Sequence, residues 1–187
     1  MKVTEYIARA RNPLISFEII PPKRGGKKED IMKIVKELST YGPPFIDITS
    51  HTADLEYAEL PEGNYRRILR RKSPGTLGLC IAIKERYGID TVCHVLCNGF
   101  TREETEDFLI DLNFGGINNV LAIKGDYKGY QKPLPRDRTK NEHAIDLVQQ
   151  IVNINKGIYL ENLVDAEPTD FCIGVAGYPE KHFSSPN

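Results

Sequence analysis

Short apolar runs rich in β-branched residues alternate along this chain with longer segments whose apolar positions recur every three to four residues. The alternation predicts strand and helix in turn. The first run, Ile15-Ser16-Phe17-Glu18-Ile19-Ile20, carries one carboxylate at its middle and stops at Pro21-Pro22, which cannot donate to a sheet ladder. Glu29-Asp30 then opens a helix to about residue 41, marked by Ile31, Ile34, Val35 and Leu38 and broken by Gly42-Pro43-Pro44. Residues 45–50 form the second strand, with Asp47 and Thr49 on the face opposite Ile46 and Ile48. Residues 51–63 read as a loop, 64–72 as a short basic helix, and 76–87 as a more apolar helix ending at Gly88. The third strand covers residues 90–97. Thr101 and Glu104 make a capping box for a helix to about Phe114, which the Gly115-Gly116 pair ends. Residues 119–123 are the fourth strand, running into Lys124-Gly125-Asp126 and a long Gly/Pro/Lys/Arg loop to Arg138. Asn141 or Glu142 starts another helix, striped by Ile145, Leu147, Val148, Ile151, Val152 and Ile154. The fifth strand, 171–177, ends in Tyr178-Pro179-Glu180-Lys181-His182.

Strands that look buried and alternate with helices imply a parallel sheet built by right-handed crossovers. Two architectures satisfy this: a doubly wound sheet, complete with five strands, and a (β/α)8 TIM-type barrel, which usually takes about 250 residues. Both place their sites at the C-terminal ends of the strands. Here every strand contributes a polar residue there, which suits a closed ring, and Pro21-Pro22-Lys23-Arg24 is a poor phosphate loop for a flavodoxin-like sheet. A barrel is therefore expected.

Composition narrows the class of partner. The chain has 187 residues, 40% hydrophobic and 27% charged, an ordinary globular composition and one domain's worth, 1–187. Its 25 basic and 26 acidic residues are interspersed, for a net charge of −1, so no broad positive surface for nucleic acid or anionic lipid is expected. A small neutral or acidic partner fits better. Residues 1–11 lack the apolar core of a signal peptide and no apolar run is long enough to span a bilayer, so a cytoplasmic protein is expected. Cys80, Cys93, Cys97 and Cys172 form no C-x-x-C pair. On a strand, Cys93, Val95 and Cys97 share one face and His94 the other, so buried free thiols are expected rather than a metal site or disulfides.

Glu18 sits within an apolar run and is expected to be buried, where a carboxylate must be paired, hydrogen-bonded or protonated. That profile suits a general acid, and equally a structural glutamate bonded to a neighbouring strand. The other candidates, strand by strand, are Thr49 with Ser50, His94, Lys124-Gly125-Asp126, and Tyr178 with His182. Singly, each has a structural explanation: a satisfied core histidine, a turn aspartate beside glycine, a strand-end aromatic. Together they bring carboxylates, imidazoles, a lysine and a phenol to one rim, the usual composition of a site.

These segments carry a resemblance. Ser16-Phe17-Glu18-Ile19-Ile20-Pro21-Pro22, Asp47-Ile48-Thr49, Cys93-His94-Val95-Leu96-Cys97, Ala122-Ile123-Lys124-Gly125-Asp126 and Ala176-Gly177-Tyr178-Pro179-Glu180-Lys181-His182 resemble, in order and spacing, the methylenetetrahydrofolate reductase family. The resemblance covers nearly the whole chain. It implies a (β/α)8 barrel that holds FAD on its loops, takes electrons from NADH or NADPH, and reduces 5,10-methylenetetrahydrofolate to 5-methyltetrahydrofolate, a step toward methionine. No G-x-G-x-x-G is needed or present. By motif, Glu18 is implied as the general acid, and Asp126 as a catalytic and substrate-binding charge near flavin and folate. His94, Lys124, Gly125, Asp126, Tyr178 and His182 are implied as FAD contacts. Thr49 is implied near the nicotinamide and flavin ring, Ser50 and Thr52 along the flavin, and Ala144 in the helix that lines it. A homo-oligomer is implied for the full-length protein.

Two departures stand out. Lys124 replaces a frequent arginine, keeping the charge but losing the planar fork. Five residues follow His182 where the family continues through three more strands, so the barrel is expected to be truncated after about five β/α units. A non-catalytic chain that binds flavin or folate, or that pairs with a complementing chain, is the alternative. A flavin-free barrel lyase or methyltransferase using Glu18 and Asp126 ranks behind both.

Overall fold

In the computed structural model, residues 1–70, 75–126, 132–178 and 180 are described. Helix α1 (Val3–Arg9) precedes β1 (Phe17–Ile19), α2 (Lys28–Ser39) and β2 (Phe45–Ile48). Then come β3 (Asp54–Glu59), β4 (Tyr65–Arg70), α3 (Thr76–Tyr87), β5 (Asp90–Leu96), α4 (Arg102–Phe114), β6 (Asn119–Ile123), α5 (Ala144–Ile154) and β7 (Cys172–Val175). The main sheet is five-stranded, in the order β1-β2-β5-β6-β7, and every neighbouring pair in it is parallel.

That order decides between the two architectures. Each new strand is added on the same side of the last, and right-handed crossovers then put every helix that connects two sheet strands on one face, whereas a doubly wound sheet reverses direction and covers both. Burial follows suit. Ile46, Ile48, Cys93, Val120 and Ala122 alternate along their strands and are at most 1% exposed. They join one core with Val35 of α2, Ile83 of α3, Leu109 and Leu112 of α4, and Leu147, Ile151 and Ile154 of α5. Each of the Ile, Leu and Val side chains among them contributes about 1.5–3 kcal/mol of burial. The sheet is thus the curved wall of a TIM-type barrel, helices outside. Among the described residues it does not close: β1 and β7 each pair on one side only.

Two segments differ from expectation. The loop and short basic helix expected over 51–72 are instead an antiparallel hairpin, β3 with β4, in which Leu55 faces Leu69 and Tyr57 faces Arg67. Its turn is closed by Leu60 and Asn64, with Gly63 at φ +78°. Arg66, Arg67 and Leu69 suit a helix locally, but pairing with a segment ten residues upstream overrides that preference. The second difference is α1, which docks at the N-terminal ends of β5 and β6. There Asn119 Oδ1 accepts from the Val3 N–H (2.8 Å), Asn119 Nδ2 donates to the Met1 carbonyl (3.0 Å), and the Tyr6 hydroxyl donates to Asp90 (2.9 Å). No helix among the described residues is long and apolar enough to cross a membrane.

Candidate functional site

The face of the sheet without helices is lined by the other half of the strand residues. Glu18 of β1 lies in register beside Asp47 of β2, and Asp47 beside Val92 of β5. His94, two residues further along β5, therefore shares this concave face and sits toward the C-terminal ends. Its Nε2 is 3.9 Å from Glu18 Oε2 and 3.8 Å from Asp47 Oδ1, too far for a hydrogen bond to either. The ring is only 5% exposed, and Nε2 is buried with no partner.

Glu18 itself is not buried. Its side chain is 60% exposed, because β1 is an outer strand of only three residues and the residue packed under the helices is Ile19. The apolar neighbours that suggested a buried carboxylate belong to the opposite face or are themselves exposed, as Ile15 and Ile20 are. The expected burial of Glu18 is therefore not found.

At the C-terminal ends of β5 and β6 is a cavity of about 500 Å³ whose wall includes Arg24, Thr52, Asn98, Phe100, Asp126 and Lys132. Thr52 and Asp126 were legible from motifs; Arg24, Asn98 and Phe100 were not. Asn98 holds the floor: its backbone N–H donates to the Lys124 carbonyl (2.9 Å) and its Nδ2 to the Gly125 carbonyl (2.7 Å). Gly125 adopts φ +80°, a left-handed conformation that glycine takes without strain, and this turns Asp126 to the cavity. Gly99, at φ +82°, has the Thr52 methyl 3.3 Å from where a Cβ would stand, so a side chain there would press on the wall.

The loop after β6 returns over α4. Asn141 Nδ2 donates to Gln150 Oε1 (2.7 Å), and Gln150 Nε2 donates to the Arg102 carbonyl (2.7 Å), with both side chains buried. Asn141 is thus a buried bridge rather than a helix start. Helix α5 begins at Ala144, where Asp146 accepts from the N–H groups of Glu142 and His143. The expected capping box of α4 is present: Thr101 Oγ1 accepts from Glu104 N (3.1 Å) and Glu104 accepts from Thr101 N (2.9 Å).

The remaining candidates are spread around the rim. Thr49 is buried, its hydroxyl 3.2 Å from His51 Nε2 and its carbonyl accepting from Thr76. Ser50 and Ala144 are half-buried, Lys124 is exposed, and Tyr178 is 58% exposed beyond the end of β7. His182 lies outside the described residues. Cys93 and Cys97 are buried on the helix side of β5. Burial pushes both thiols up, Cys97 to about 11 with the Asp146 charge adding, so neither is a thiolate near neutral pH. Among the described residues no three His, Cys, Asp or Glu side chains are placed to hold a metal ion.

The order of these motifs along consecutive strands can be compared with known proteins. The family model for methylenetetrahydrofolate reductase matches residues 2–187. The chain belongs to the methylenetetrahydrofolate reductase family. Among curated relatives it is similar to the probable methylenetetrahydrofolate reductase (NADH) of Oryza sativa subsp. japonica, 30% identical over 189 residues that cover 97% of this chain and 26% of the rice protein. It is also similar to the 5,10-methylenetetrahydrofolate reductases of Pectobacterium carotovorum subsp. carotovorum and Escherichia coli (strain K12). Each is 26% identical over 169 residues, covering 90% of this chain and 44% and 45% of the relative. The chain therefore spans about a quarter of its plant relatives in the family and less than half of its bacterial ones.

Proposed function

We propose that this chain carries the flavin- and folate-facing part of a reductase that converts 5,10-methylenetetrahydrofolate to 5-methyltetrahydrofolate with electrons from NADH or NADPH. The observation that carries the reading is the family match over residues 2–187, whose motifs fall at the C-terminal ends of neighbouring parallel strands. The residues present fit an FAD. A cavity of about 500 Å³ accommodates a ring system, and Thr52, Asn98 and Asp126 offer polar edges on its wall. When bound, the flavin supplies the hydride that completes the folate methyl group.

The chain's own residues bind, orient and move one proton. Glu18, as general acid, protonates the folate amine that leaves when the five-membered ring opens, because an amine departs poorly unless protonated. Its exposure leaves it accessible to a ligand lying across the concave face. Asp126 faces the carbon–nitrogen cation so produced with a fixed negative charge, and it also orients the substrate. Thr49, Ser50, Thr52, His94, Lys124, Gly125, Ala144, Tyr178 and His182 are the proposed cofactor contacts, with Thr49 nearest the nicotinamide.

A second reading, ligand binding completed by a complementing chain, is favoured by one observation: β1 and β7 each leave an outer edge unpaired among the described residues. A visible absorbance spectrum with and without added FAD, together with the mass in solution, tests both. Flavin bands on the chain at its own mass support the first reading. Bands only in a heavier complex support the second, and a folded chain with no bands overturns the flavin assignment.

A further inference from the structure

Two neighbours of Glu18 have no work in the proton step above. Asp47 lies directly beside Glu18 on the next strand, and both carboxylates approach the same ring nitrogen of His94. Side-by-side carboxylates on adjacent strands repel when ionised, and a donor set between them relieves the repulsion. A buried nitrogen with no partner needs an acceptor. Each requirement answers the other, and a side-chain rotation that closes roughly 0.6–1 Å, from the present 3.8 Å to ordinary hydrogen-bond length, joins Asp47 to the nitrogen.

The two carboxylates are not equivalent. Asp47 stands on a strand paired on both sides and its side chain is 21% exposed, whereas Glu18 stands on an outer strand and is 60% exposed. Asp47 is the fixed acceptor and Glu18 the one free to turn toward a ligand. Leu121 of β6, in register beside His94, is apolar, and the Thr49 hydroxyl is taken up with His51. Of the two hydroxyls that share a small pocket with His94, that of Thr105 donates to the Thr101 carbonyl, while that of Ser50 is neutral and carries no charge to compete with Asp47.

We propose that Asp47 is a positioning residue of this site. It accepts a hydrogen bond from His94 Nε2–H, fixes the imidazole in that tautomer, and so aims one N–H at the carboxylate pair, which holds Glu18 at the rim in its working orientation. The link between Asp47 and His94 stands on geometry alone; its bearing on the acid rests on the function proposed above.

The first test needs no activity. The chain has four histidines, so the ring-nitrogen NMR signals of His94 can be assigned by their loss in His94→Gln. With the ring neutral, Asp47→Ala is expected to move the tautomer ratio toward Nδ1–H by at least about threefold, and Glu18→Gln to move it less. An unchanged ratio in Asp47→Ala overturns the assignment. Asp47→Val, a residue at home in a strand, gives the same reading if the alanine variant does not fold. Failure of both to fold also overturns it, since a positioning residue on the face without helices is dispensable for folding.

The second test follows the two half-reactions of the FAD-loaded protein. Asp47→Ala is expected to slow folate reduction about tenfold and leave flavin reduction by nicotinamide within about twofold, with partial recovery in Asp47→Glu. Equal slowing of both halves overturns the positioning role. A tautomer shift in a parent chain that never reduces folate would keep the Asp47–His94 link and remove the proposed acid chemistry instead.

Discussion

The two faces of the main sheet are made by alternate residues of the same strands, yet they solve opposite problems. On β2, Ile46 and Ile48 are fully buried against helices, while Asp47 between them is part-exposed beside a buried histidine nitrogen without a partner. On β1, Ile19 is 5% exposed and the adjacent Glu18 side chain 60%. The helix face is apolar and satisfied, so it supplies stability and little else. The concave face carries like charges in register and an unpaired nitrogen, a costly arrangement unless a ligand or proton completes it. A strand can hold both because its side-chain period is two, and neither face constrains what the other displays.

Four substitutions would break or sharpen that contrast. The largest stability effect is expected on the helix face: Ile48→Ala, at a fully buried position, should cost about 2–5 kcal/mol in denaturant unfolding. Against stabilities of about 5–15 kcal/mol for ordinary domains, this loss is severe. On the other face, Glu18→Gln should leave unfolding within about 0.5 kcal/mol. The same variant should slow the folate half-reaction about 100-fold while sparing flavin reduction by nicotinamide. If it instead unfolds the chain, the division of labour between the faces is wrong. Thr101→Ala removes the α4 cap next to the cavity, with an expected loss of about 1 kcal/mol and no selective effect on either half-reaction.

The smallest effect concerns the N-terminal end of the sheet. Burial, reinforced by the hydrogen bond to Asp90, pushes the Tyr6 hydroxyl from 10.0 up to about 12. The folded state therefore holds this proton more tightly than the unfolded chain. The contribution is fully present below about pH 10 and is lost as pH rises toward 12. Tyr6→Phe should flatten that alkaline decline in a denaturation series. An unaltered decline would show that the contact with Asp90 does not hold α1 in place.

Much of the framework follows from local pattern. The apolar runs of β2, β5 and β6, the stripe of α5 and the Thr101/Glu104 capping box each encode their element within a dozen residues, and each forms where the periodicity indicates. Alternation also assigns faces, so Asp47 and Thr49 opposite Ile46 and Ile48 could be read directly. The hairpin could not. Arg66, Arg67 and Leu69 have no strand signature of their own, and only pairing with β3 across the turn at Gly63 makes them extended. That turn, Pro61-Glu62-Gly63-Asn64, was the signal available.

What the chain determined by itself is the succession of the main-sheet strands and the helices between them outside residues 51–72, the face each of those strand residues takes, and membership of a family whose motifs lie at strand ends, because these depend on spacing over a few residues. Tertiary structure alone decided three other things. Strand order put the connecting helices on one side and so excluded the doubly wound alternative that the alternation of elements had left open. The outer position of β1 left Glu18 exposed despite its apolar neighbours. Register set Asp47 beside Glu18 with His94 across from both, a meeting of residues 18, 47 and 94. Burial and proximity depend on which distant segments pack together, and no local periodicity carries that information.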